Sequence, residues 1–210
     1  MPTYADNPGN LKPSRWRILC HEPVWPLALF VSTVGLFTLA RLDDNLIYAL
    51  GGVIGFAVFW IYIVFYLIAR VRQFRYGDIN ISQIISLSPP LFATSTNMQK
   101  RLDGSEYPVV KIVRRRVPNA RGLRWKAGDY FAAACLYSGG RQAHWDDFDP
   151  LPLSMAIDRV EVLMGETDRL AYGIPELELR LSLVRDVRKP GLYFLDAEQL
   201  ALLRSEGRYR

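Results

Sequence analysis

Histidine and cysteine are scarce in this chain, with two of each among 210 residues. Cys20 stands just before an apolar run and Cys135 inside an apolar segment, so a disulfide framework is excluded and free thiols are expected, in keeping with a cytosolic setting. The histidines, His21 and His144, lie far apart in sequence, which leaves little for a metal site that needs several convergent ligands. There is no G-x-S-x-G elbow, no phosphate-binding loop and no dinucleotide glycine fingerprint. SGG at 138–140 is too short for a nucleotide loop, and no cofactor is expected.

Charge is missing from two long stretches. None occurs from Pro23 to Ala40, or from Leu46 to Ala69. A bilayer core about 30 Å thick needs about 17 to 25 apolar residues of helix, and both runs are long enough. Only Arg41–Asn45 separates them, so they would form an antiparallel hairpin. Lys12, Arg15 and Arg17 precede the first run, and Arg70, Arg72 and Arg75 follow the second. By the positive-inside rule both termini are expected in the cytoplasm, as part of an integral inner-membrane protein. Within the runs, Gly51 and Gly55 form a GxxxG pair, and Ala28, Ser32 and Gly35 line one side of the first helix. Small residues let helices approach closely in lipid, either within the hairpin or across a homo-oligomer face. No ionisable residue other than tyrosine lies in either run, which argues against an ion pathway.

The expected organisation is an N-terminal cytosolic segment, 1–22, then the hairpin, 23–71. A β-rich core follows over 76–152, and an α/β part of the same domain over 153–210. The segments INISQIISL, LFATSTNM, YPVVKIVRRRV and DYFAAACLYS read as strands set between turn residues. In the first, Ile79, Ile81, Ile85 and Leu87 are expected on one side, with Gln83 the exception. Four strands so spaced suggest an SH3-like or OB-like β-barrel or a curled sheet. Asp158 is placed as the cap of a helix ending near Gly165. PELELRLSLVRDV alternates like a strand, yet its Pro175 start, acidic first turn and basic end favour a helix. KPGLYFL adds a short strand, and DAEQLALLRSEG a closing helix capped by Asp196. The fold class is therefore a membrane protein with a two-helix transmembrane hairpin and an α+β cytosolic domain.

The stretches YPVVKIV, GDYFAAACLYSGG, HWDDFDPLPL and KPGLYFL, in that order, resemble an uncharacterised bacterial family known as a domain of unknown function. The likeness covers roughly residues 78 to 195, and some members carry two N-terminal transmembrane spans. It implies this architecture and no activity.

HWDDFDP is the densest cluster of reactive side chains. In an extended segment, His144, Asp146 and Phe148 point one way and Trp145, Asp147 and Asp149 the other, so the carboxylates are divided. The favoured reading is structural, with Trp145 and Phe148 filling the core and the aspartates capping turns or meeting arginines. The alternative is an enzyme using His144 with Asp146 or Asp147, which requires those groups to meet unpaired in an open pocket.

Charge is also segregated. Lys100–Lys126 holds nine Lys or Arg against Asp103 and Glu106, whereas Asp129–Glu206 holds eight against fourteen acidic residues. Arg114, Arg115, Arg116, Arg121, Arg124 and Lys126 are the candidate binding residues, for an acidic partner or lipid headgroups. Taken as a strand, 114–116 puts Arg114 and Arg116 on one face. Internal neutralisation by the acidic third competes with anionic lipid and with nucleic acid, the last being least favoured because no recognised motif is present. The expected function is a membrane-tethered module that engages a protein partner or the leaflet. An immunity-type or nucleic-acid-binding protein is the further alternative.

Overall fold

The computed structural model describes residues 11–21, 24–43, 46–100, 106–139 and 144–196, together with 198, 201 and 205. The chain divides into two compact units, residues 13–72 and residues 73–210 with 1–12.

The first unit holds helices α1 (Arg15–His21), α2 (Val24–Asp43) and most of α3 (Leu46–Tyr76). By length and composition α3 can cross a membrane, and only 11 % of its most apolar stretch is buried. It is therefore not a core helix of this chain. Leu27, Phe30, Val31 and Phe37 of α2 and Val53, Ile54, Phe56, Trp60, Ile61 and Phe65 of α3 are all exposed. Water-facing surfaces rarely carry so continuous an apolar area.

Side chains of α2 and α3 meet. The Phe30 and Phe59 rings lie 5.9 Å apart, and a Cβ added at Gly52 would fall 2.9 Å from the Phe37 ring. One at Gly55 would fall 3.1 Å from Thr33 Oγ1. The tight glycines are thus 52 and 55, three apart, rather than the expected 51 and 55. Gly51 meets Leu36 only at ordinary contact distance. Gly35 faces open space, and Ser32 is exposed with its hydroxyl donating to Ala28 O at 2.9 Å.

The second unit is built on one antiparallel sheet of β1 (Asp78–Leu87), β2 (Pro90–Asn97), β3 (Pro108–Val113), β4 (Tyr130–Ser138), β5 (Asp147–Pro152) and β6 (Gly191–Phe194). Their spatial order is β5-β4-β1-β2-β3-β6. The sheet curls into a half-barrel. A flat sheet would hold β3 and β5 about 19 Å apart, four steps of about 4.8 Å. Instead Lys111 Nζ of β3 donates to Phe148 O of β5 at 2.5 Å. Closure by strand pairing is not seen among the described residues, where β5 and β6 are edges.

Strand register explains the interior. Ile84 opposes Phe92, Ser82 opposes Phe131, and Thr96 opposes Val109, so these side chains share a face. One core cluster there is Ile84, Phe92, Val117, Trp125, Phe131 and Ala133, and another is Met98, Val109, Cys135 and Phe148. On the same face the Ser82 and Thr94 hydroxyls meet at 2.6 Å, and those of Thr96 and Tyr137 at 2.5 Å. Burial of both pairs is thereby compensated. Helices α4 (Val160–Arg169) and α5 (Ile174–Ser182) pack against the sheet, α4 on β4 and α5 on β1, β2 and β3. Leu163, Leu177, Leu179 and Leu181 are their buried apolar residues.

Several expectations need correction. The strict alternation in β1 fails because register shifts between Ile84 and Ser86. The bulge leaves Ile84 buried and Leu87 55 % exposed. Asp158 does not cap α4, which starts after Arg159 without a side-chain cap and continues through Gly165 to Arg169. Residues 174–182 are helix, since one face of α5 is buried against the sheet and the leucine alternation is incidental. The closing helix lies mostly outside the described residues, although Glu198 N donates to Asp196 Oδ1 at 2.9 Å.

Candidate functional site: a basic loop beside a side-chain seam

β3 ends at Val113, so the arginines that follow are not in a strand. Strand β6 pairs only with residues 109–112, and beyond them the chain turns into the core. Val117, Ala120 and Trp125 are buried, and Trp125 Nε1 donates to Pro118 O at 2.9 Å. The Trp125 ring lies 5.8 Å from Phe131. Leu123 N donates to Ala120 O at 3.0 Å, closing a turn through Gly122 at φ +84°, where a side chain would be strained. At the far end Lys126 N donates to Asp129 Oδ2 at 2.7 Å, and Gly128 N to Ile84 O at 2.7 Å.

The loop is therefore pinned at both ends and in its middle. Its apolar residues are used internally, and its cations point out. Arg114, Arg116, Arg121, Arg124 and Lys126 are all exposed. None of the five makes an ion pair among the described residues. Arg115 differs, being half-buried with Nη1 3.2 Å from Asp149 Oδ1 and donating to Pro150 O at 3.1 Å.

That contact belongs to the seam where HWDDFDP lies. Lys111 Nζ sits 2.7 Å from Asp147 Oδ1 as well as on Phe148 O. Phe148 N donates to Asp147 Oδ1 at 2.8 Å, so the backbone of Phe148 points away from β4. Pro150 and Pro152, two and four residues on, point the same way and have no N–H to leave unpaired. Proline is tolerated on such an edge. The half-barrel is thus closed by two cationic side chains on the β5 carbonyls.

The remaining residues of the motif are placed individually. Phe148 is fully buried, and its ring lies 6.0 Å from Tyr137. Trp145 is half-buried and packs against the Met98, Val109, Cys135 and Phe148 cluster from its margin, stacked on Tyr137 with Lys100 Nζ 4.8 Å from its ring centroid. His144 lies between Tyr107 and Phe194, at 4.5 and 5.7 Å between rings. Its Nδ1 is 2.7 Å from Trp145 O, a group that can only accept, so that nitrogen carries the proton. Asp146 is exposed and lies where a Cβ on Gly139 would go. Asp147 and Asp149 are paired with Lys111 and Arg115. Among the described residues no three His, Cys, Asp or Glu side chains group closely enough to hold a metal.

Elsewhere in the unit, burial pushes the Cys135 thiol well above its ordinary range. Burial likewise raises Tyr137, which also donates to Asp78 Oδ2 at 3.0 Å. Tyr130 is pushed up to about 12, first by burial and then by its hydrogen bond to Glu178.

Sequence reasoning overlooked Lys111, although its place in a β-branched strand marked it as a charge on a largely buried element. It also overlooked the apolar residues of the loop. Their signal was present in Val117, Ala120, Leu123 and Trp125, which alternate with the cations.

No family model and no curated protein matches the chain, so the family resemblance rests on the sequence stretches that suggested it. Among solved structures, one described as "a putative membrane protein from Corynebacterium diphtheriae" is similar to part of the chain. It has 17 % identity and a TM-score of 0.41, and covers 56 % of this chain and 100 % of that one.

Proposed function

We propose that this protein is a membrane-tethered interaction module. In this reading α2 and α3 form a transmembrane hairpin, both termini are cytoplasmic, and the half-barrel presents its basic loop to an acidic partner. The observation that carries it is the set of five exposed cations, unpaired among the described residues, on a loop whose apolar residues pack into or against the core. The tether is supported by the apolar surface of α2 and α3 and by the meeting of Phe30 with Phe59 and of Thr33 and Phe37 with Gly55 and Gly52. It is supported too by connectivity, since only Gly77 stands between α3 and β1. The half-barrel supplies a rigid base for the loop, and Asp147 and Asp149 of HWDDFDP are paired with the cations that close it.

The test is extraction of native membranes. The full chain is expected to stay in the pellet at high salt and at alkaline pH, and to be released only by detergent. Release by salt or alkali alone would contradict the hairpin.

A further inference from the structure

We infer that the loop from Arg114 to Lys126 is a docking surface for anionic phospholipid headgroups, an inference that rests on the membrane tether proposed above. Three features select this partner. The first is what the loop withholds. Protein interfaces are anchored by aromatic and aliphatic side chains in desolvated pockets. Here Val117, Ala120 and Trp125 are committed to the core, and the exposed side chains are the five cations and Asn119, none of them apolar. Single-stranded nucleic acid is held by bases stacked on exposed aromatics, and the loop's one aromatic, Trp125, is buried. A headgroup layer needs neither pocket nor platform.

The second feature is order. Cations on a flexible tail would lose conformational freedom on binding. This loop is already fixed by the Trp125–Pro118 hydrogen bond, the 120–123 turn and the backbone bond from Gly128 to Ile84. The third is proximity. A half-barrel joined to α3 through one residue, Gly77, cannot leave the leaflet, so a weak charge contact meets a high local concentration of headgroups. Each Lys or Arg at an anionic leaflet strengthens association by about fivefold. Five of them make a contact that is strong at low salt and weak at high salt.

The experiment uses the full chain with Cys20→Ser and Ala127→Cys, which places a thiol at an exposed loop position and leaves all five cations in place. Cys135 is buried and stays silent. A fluorophore at position 127 is read for quenching by a headgroup-labelled lipid. Vesicles of pure phosphatidylcholine, or with added phosphatidylglycerol, are formed at about 0.1 M and about 1 M salt, where the screening length falls from about 10 to about 3 Å. Flotation of the vesicles reports insertion separately. The expected result is strong quenching only with phosphatidylglycerol, several-fold weaker at high salt. It should be abolished when Arg114, Arg116, Arg121, Arg124 and Lys126 are all changed to Gln, with flotation unchanged. Equal quenching in both lipids, with the protein inserted, overturns the headgroup surface and leaves the tether standing. Loss of the phosphatidylglycerol response on adding RNA would assign the surface to nucleic acid instead. Failure to float would overturn both readings.

Discussion

Replacing Phe148 by alanine is expected to cost the half-barrel about 3–5 kcal/mol, the usual range for a buried aromatic truncated in a packed core. The ring is fully buried and touches Tyr137 at 6.0 Å between centroids. It sits in the cluster with Met98, Val109 and Cys135, on the edge strand β5 that Lys111 ties to β3. The cavity would open where the sheet is closed by side chains alone, with no neighbouring strand to collapse into it. Thermal unfolding of the detergent-solubilised chain, followed by near-ultraviolet circular dichroism, measures the loss. A cost below about 1 kcal/mol would place Phe148 outside the core and reopen the question of what HWDDFD is for.

Gly77→Ala is the second large effect. A Cβ there would fall 2.8 Å from Cys135 O and closer still to Gln73 O, to which the Gly77 N–H donates. Both obstacles are backbone atoms, so no side-chain rotation relieves them. Gln73 is itself fixed, with Nε2 donating to Asp149 O at 2.7 Å. Overpacking of this kind costs about 1–3 kcal/mol, and the upper end is expected where β1 must move off β4. The measurement is the same unfolding experiment. A variant as stable as the parent would show that the helix-to-strand junction is looser than these distances imply.

The sequence announced the apolar helices, the strands and the polarised charge, because each has a local signature. Charge-free runs, β-branched segments and clustered arginines need no tertiary information. What it concealed was set by contacts between distant segments. The bulge in β1 is a shift in its pairing with β2, just past the last residue paired with β4, so the alternation of Ile85 and Leu87 misleads. The end of β3 at Val113 is set by its pairing with Phe92 of β2, one residue beyond the reach of β6. The glycine that α2 approaches most tightly is Gly52, because Phe37 of the other helix lies against it, and no spacing rule within α3 could say so. Half of the charge puzzle was legible. The six basic residues were identified, but that Arg115 alone is spent on Asp149 follows only from the curl that brings β5 to it.

The most direct test of the tethered architecture is thiol accessibility across the membrane. Cys20 is exposed and Cys135 is buried, so the parent chain carries one natural reporter beside the N-terminal end of α2. Asp43→Cys in a Cys20→Ser background places a second at the exposed end of the same helix. In intact spheroplasts an impermeant maleimide should label position 43 and leave Cys20 untouched until the membrane is permeabilised. Labelling of Cys20 in intact spheroplasts, or protection of position 43, would contradict a hairpin with cytoplasmic termini and the cytosolic half-barrel that depends on it.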